Sequence, residues 1–382
     1  MQHIYAYQQC RQANYALAFA YVREAFEMDL NSIELPDPEQ LAQDRRLAEE
    51  ILTARLEGNL GPGKSSEKAK QVAQEALSRY EAQSQKDRSF LKNQMVARVE
   101  KMSDHYKLAL LLLVAVAEEL YRDLQKKSRP SNPDTIVPDE VGSTRFYLNP
   151  VIQAIRDNEQ LQAEASDKNW SWQEQQSTIR QLYKSTIKPD EEFHNYQHAE
   201  KTTTEEDIAI VRHIFNNHLL KSESVSNFFE DLDISWEENQ KVIKSLVNRS
   251  VKSLAEHPEQ GIEIAALTPN WEDDRAFFEE LYTITIQHDA EYEQIIAEKS
   301  ENWAIDRIAS MDQIILKMAI AEMLNFSSIP VKVTINEYVD ISKQYSTQKS
   351  KQFINGLLDV IAQSLLERNL IRKSGRGLID NR

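Results

Sequence analysis

Apolar residues recur at helical spacing most regularly in the last eighty residues of the chain. Ile308, Met311, Ile315, Met318, Ala319, Met323 and Phe326 predict one helix, closed by Ser327-Ser-Ile-Pro330. Val331, Ile335, Tyr338, Val339 and Ile341 predict the next. After a Ser346-Thr347 cap, Phe353, Ile354, Leu357, Leu358, Ile361 and Leu365 predict a third. Gly356 sits inside that third helix at a cost of about 1 kcal/mol against alanine, so close backbone packing is expected there.

Upstream, Ile4, Tyr5, Ala16, Leu17, Phe19, Ala20 and Tyr21 give residues 1–26 one buried helical face, and Asp37 between Pro36 and Pro38 breaks it. Gln40–Glu57 and Ser66–Glu100 are charged, helix-prone and poor in large apolar residues, the pattern of solvated helical arms or an inserted hairpin. Met102–Leu124 reads as a core helix, followed by the loop Ser128-Arg-Pro-Ser-Asn-Pro-Asp. Between Val151 and Thr268 helices alternate with polar turns. Ser171-Trp172, Ser235-Trp236, Asn270-Trp271 and Asn302-Trp303 each read as a helix start, at spacings too unequal for a solenoid repeat.

Composition agrees with an all-α fold: 382 residues hold only 8 Gly and 11 Pro, with 28% charged side chains. The net charge of −16 argues against wholesale coating of a polyanion. It is uneven, however, because residues 301–382 carry 11 basic and 9 acidic side chains while residues 1–300 carry 34 and 52. Cys10 is the sole cysteine, which excludes an internal disulfide and a cysteine-rich metal site and fits a reducing cytoplasm. No basic segment followed by an apolar run opens the chain, so no secretory signal is read. The strongest apolar run, Leu108–Ala117, is about half of the ~20 residues a bilayer span needs, so no membrane partner is expected.

Gly58-Asn-Leu-Gly-Pro-Gly-Lys-Ser65 satisfies the phosphate-loop spelling, with Lys64 in the lysine place. A phosphate loop must be delivered by a buried strand, yet Ile51–Glu57 reads as helix and Pro62 removes an N–H donor; a turn between helices is favoured. His194 and His198 share a helical face, with Asp190 one turn earlier as a third metal donor. Asn195 stands where a metalloprotease motif needs glutamate, and Pro189 makes Asp190 a helix-start residue. His213 and His218 are five apart, which on an α-helix turns them away from each other. No metal, cofactor or catalytic group is expected.

The remaining chemistry suits nucleic acid. Tyr345, Lys349, Lys351 and Phe353 surround one loop and helix start, where lysines meet phosphates and a ring accepts an unstacked base; Gln2, Tyr5 and Tyr7 add amide and aromatic groups. The competing reading makes Phe353 core and the lysines a solvated face.

The C-terminal stretch resembles the NusB family of transcription antitermination factors. The matching features are Arg307-Ile308 to Ile320-Ala-Glu322-Met, Ile329-Pro-Val-Lys-Val333, Ile335-Asn-Glu337, and Phe353-Ile-Asn-Gly356 before Leu358-Asp359, with Gln2-His3-Ile4-Tyr5 echoing the family's first helix. The resemblance spans about residues 272–370. It implies NusB-like helical bundles with a large helical insertion: a first helix at 1–26, a charged helical insertion at 27–100, an additional helical region at 101–270, a C-terminal bundle at 271–372 and a flexible tail at 373–382. It also implies a non-enzyme that binds boxA-type single-stranded RNA jointly with the small-subunit ribosomal protein NusE, within a transcription elongation complex in the cytoplasm. Gln2 and Tyr5 at the first helix, and Tyr345, Lys349, Lys351 and Phe353, become RNA-side candidates; Lys349 stands where many relatives carry an acidic residue. Glu322 is the candidate for the ribosomal-protein side. The family's arginine-rich segment before the first helix has no counterpart here, so an in-frame upstream extension encoding arginines is expected. Rival readings are a phosphate-loop ATPase, the RNA-recruiting part of an rRNA cytosine methyltransferase, disfavoured because no glycine-rich cofactor region follows, and a protein-interaction module without RNA binding.

Overall fold

The computed structural model describes residues 1–28, 37–59, 66–127, 144–256, 258–300 and 308–378. Among these residues there is no strand, and no helix is long and apolar enough to cross a membrane. By contacts the chain divides into a unit of residues 1–96 with 272–382 and a unit of residues 97–271.

The first unit has two cores. Its C-terminal core is built from α11 (Trp271–Gln287), α12 (Asp289–Lys299), α13 (Ser310–Asn325), α14 (Val331–Tyr345) and α15 (Gln348–Glu367), joined by the start of α1 (Gln2–Ala25) through Ile4. α13 is the central helix. Ile314, Ile315, Leu316, Met318, Ala319, Ile320, Ala321 and Met323 are all buried, so it is apolar around nearly its whole circumference. α1, α12, α14 and α15 all pack on it. Among the charged residues buried inside this helix, Lys317 is paired on α12. Lys317 Nζ donates to Asp289 Oδ1 at 2.7 Å and to Glu293 Oε2 at 2.8 Å, one turn apart on α12.

The second core of this unit joins the later half of α1 to α2 (Pro38–Leu56) and the start of α3 (Glu67–Lys127). It interleaves the alanines Ala18, Ala48, Ala69, Ala73 and Ala76 with Val22, Phe26, Ile51, Leu52, Val72 and Leu77. The charged segments expected to be solvated arms or an inserted hairpin thus pack against the later half of α1. Asp37 caps α2 by accepting from Glu39 N–H at 3.0 Å. Asn14, buried on α1, donates to Asp87 Oδ2 on α3 at 2.7 Å.

The second unit holds α3 from Ala97 onward, α4 (Pro150–Arg156), α5 (Glu159–Asp167), α6 (Gln176–Leu182), α7 (Glu191–His198), α8 (Thr204–His213), α9 (Glu223–Leu232) and α10 (Trp236–Glu256). Leu108–Ala117 lies within α3, and eight of its ten residues are buried in this core. Asn149 caps α4 and, from the same buried site, donates to Tyr196 Oη at 2.7 Å. π-helical turns continue α6 (Tyr183–Ile187) and α8 (Ile214–Leu219). Trp236 and Trp271 open α10 and α11 as their patterns predict. Trp172 does not open a helix: it lies in a turn ahead of α6, where its indole N–H donates to Leu108 O at 3.1 Å. Asn302-Trp303 and the loop at 128–134 lie outside the described residues.

Candidate nucleic-acid interface

Tyr345 is the last residue of α14, and Ser346-Thr347 form a two-residue corner in extended backbone. The Thr347 hydroxyl then accepts from Ser350 N–H at 3.2 Å and starts α15. The corner therefore carries Tyr345, Lys351 and Phe353 within two turns of helix. All three are half-buried, and Phe353 packs against the C-terminal core while keeping part of its ring at the surface. Core and surface are thus shared by one ring. Lys349 belongs to α15, and its side chain lies outside the described residues. Lys343 beside the exposed Asp340 holds that carboxyl below its usual range, with Lys351 adding to the effect.

At the other end of the chain, α1 begins in the same core. Ile4 is buried there, Gln2 is half-buried and Tyr5 is 39% exposed. Tyr7, taken above as an added aromatic, is buried and not presented; burial pushes its hydroxyl up from its ordinary pKa. Arg11, which sequence reasoning passed over, is half-exposed on α1 at 3.6 Å from Asp289. It borders a cleft of about 450 Å3 lined also by Tyr80, Glu293 and Lys317. Its only sequence signal is a basic residue two turns into the first helix after Tyr5.

Glu322 is not on a partner-facing surface. It is buried, and its carboxylate accepts from Thr334 Oγ1 at 2.8 Å and Tyr338 Oη at 3.0 Å. Those two hydroxyls stand four residues apart on α14, so the carboxylate pins α14 to α13. Burial pushes the Glu322 carboxyl up despite the two donors, and burial together with Glu322 pushes Tyr338 well above its ordinary range. Gly356 also departs from expectation. It is exposed, and a Cβ added there meets no atom within 4 Å.

Two other candidates are rearranged. Residues 60–65 of the phosphate-loop spelling lie outside the described residues, while Ile51–Leu56 before them belongs to α2 and Leu108–Ala117 to α3. His194 and His198 stack at 4.2 Å between ring centroids, but Asp190 does not join them. It caps α7 through Phe193 N–H at 2.8 Å and faces His213 and His218 instead. The π turn is the reason: an added backbone unit per turn brings residues five apart onto one face, where an α-helix would separate them.

The NusB family profile matches residues 244–363, from within α10 to within α15. Three curated relatives, each named transcription antitermination protein NusB, are similar to this stretch. The Salinibacter ruber protein is 41% identical over 105 residues, 28% of this chain and 66% of its own length. The Chloroherpeton thalassium protein is 39% identical over 104 residues, 27% of this chain and 49% of its own length. The Geobacter sulfurreducens protein is 42% identical over 94 residues, 25% of this chain and 68% of its own length. The chain thus spans between about half and two thirds of these relatives. No solved structure matches.

Proposed function

The chain belongs to the NusB family, and from that premise we propose that it is a non-enzymatic antitermination factor that binds boxA-type single-stranded RNA together with the ribosomal protein NusE. The observation that carries this reading is that one core holds both ends of the family pattern. Ile4 of α1 and the helices α13, α14 and α15 share it, so Tyr5 and the corner at residues 345–353 are displayed by a single compact unit. In that reading the exposed ring of Tyr5 and the half-exposed ring of Phe353 accept unstacked bases, and Lys349 and Lys351 meet phosphates. The weakly basic balance of residues 301–382 leaves this the least repulsive part of an acidic chain.

The test is a titration of a boxA-like RNA and a scrambled control, each with and without the ribosomal partner. The expected result is tighter binding of the boxA-like RNA, strengthened by the partner. Equal affinity for both RNAs in both conditions defeats the proposal. Tyr5→Ala, at an exposed position that no core requires, is expected to cost about 1–3 kcal/mol of RNA affinity, the usual worth of one base–aromatic stack.

A further inference from the structure

In the second unit, outside the family match, three metal-ligating side chains converge on one point. Oδ2 of Asp190 lies 3.1 Å from Nε2 of His213 and 3.1 Å from Nε2 of His218. The three donor atoms all fall within 4.8 Å of one another, and all three side chains are largely shielded from solvent. In a tetrahedral site with bonds of about 2.0–2.1 Å, neighbouring donors stand about 3.3 Å apart. The two observed edges need to open by only a few tenths of an ångström to admit an ion.

The surroundings fit the same use. Oε2 of Glu192 lies 2.9 Å from Nδ1 of His213, the carboxylate–imidazole arrangement that fixes a ligating histidine with Nε2 turned to the metal. Nδ2 of Asn217 also lies 3.0 Å from that Nδ1; as a donor it competes with the accepting Glu192 carboxylate for the one ring nitrogen. The histidines share one face only because the π turn Ile214–Leu219 places them there, and such turns recur at functional sites. From this geometry we propose that Asp190, His213 and His218 bind a divalent transition-metal ion of the zinc class, with Glu192 orienting His213. Two imidazoles and one carboxylate are the borderline nitrogen and oxygen donors such ions take, and a fourth position is left for water or a further ligand. The ion would tie the start of α7 to the end of α8. This site stands independently of RNA binding.

The full-length protein, stripped with a chelator, is titrated with Zn2+ against a chromophoric competitor and with Co2+ followed by its visible ligand-field absorption. One ion per chain is expected, with a higher melting temperature in zinc than in chelator. His213→Gln and His218→Gln should each weaken binding by more than tenfold, and Glu192→Gln by about tenfold. His194→Ala and His198→Ala should leave it unchanged. Imidazole 15N spectra of the unaltered protein give a readout independent of variant folding: on zinc addition two of the eight histidines should shift together. Absence of stoichiometric binding overturns the proposal, as does binding that survives both glutamine variants or is lost with His194 or His198.

Discussion

Replacing Gly356 by alanine tests how the outer face of α15 is built. The residue lies in the interior of a helix running from Gln348 to Glu367, its backbone is outside the left-handed region, and the added methyl meets nothing within 4 Å. With no steric term, the change reduces to intrinsic helix propensity, about 0.8–1.0 kcal/mol in favour of alanine. Because the chain has two units, a single global transition is not assumed, and the readout is native-state hydrogen exchange of α15 amides. Those exchanging through opening of α15 or its unit should slow about four- to fivefold, since each 1.4 kcal/mol is a factor of ten. An unchanged or faster exchange refutes the reasoning, because it requires an opposing contact at that position. If exchange slows while RNA or ribosomal-protein binding weakens, the bare backbone at Gly356 is kept open for a ligand.

The pairing of Glu322 gives a second test. Glu322→Ala strands the buried Thr334 and Tyr338 hydroxyls and should cost about 2–5 kcal/mol, whereas Glu322→Gln keeps an acceptor oxygen for one hydroxyl and turns an NH2 donor to the other, which can accept in its place, and should be near neutral at pH 7, by urea melts. The sign with pH follows from the raised carboxyl. The folded state holds its proton more tightly than the unfolded chain at about 4.5, so this group favours folding most at low pH. That contribution is lost as pH rises through the folded pKa, and the Gln variant should lack this component of the pH profile. Lys317→Ala removes both the packed stem and the cation shared by Asp289 and Glu293, and should cost about 3–5 kcal/mol; Lys317→Met keeps the stem and should recover at least half, measured by denaturant midpoint. Lys351→Ala should weaken RNA binding across sequences and lower the slope of log affinity against log salt by about 0.7, the value for one phosphate contact on a single strand.

The helices α13, α14 and α15 were legible because large apolar residues mark their buried faces and Pro330 and Thr347 mark their starts. The packing of α2 and the start of α3, read as solvated arms or an inserted hairpin, was only partly legible because half of their core residues, Ala48, Ala69, Ala73 and Ala76, are alanines whose apolar signal is weak beside Ile51, Leu52, Val72 and Leu77. Of the interface candidates, exposure of Tyr5 and burial of Tyr7 differ by a rotation of about 200° around the helix, which short aromatic runs do not resolve. Glu322 was named for the ribosomal-protein side from the family resemblance, and nothing in its own segment announces the two hydroxyls on the following helix that hold it in the core. The Asp190, His213 and His218 convergence was hidden for a different reason. A π turn leaves no periodic trace, so the spacing of five was converted to an angle with the wrong helix.

The docking of α1 on α13 has a consequence for synthesis on the ribosome. α1 ends at Ala25 and α13 at Asn325, so at about 5–20 residues per second roughly 15–60 s pass before the first helix can meet its central partner. Ile4 and its neighbours spend that interval without their final cover. Residues 97–271, whose elements follow one another in the chain, can complete their own core during the wait. A ribosome slowed or stalled between residues 271 and 325 should therefore leave a nascent chain whose middle is folded, whose later half of α1 is covered by α2 and α3, and whose first turns around Ile4 are exposed. Limited proteolysis of stalled chains would find the first cuts in those first turns of α1.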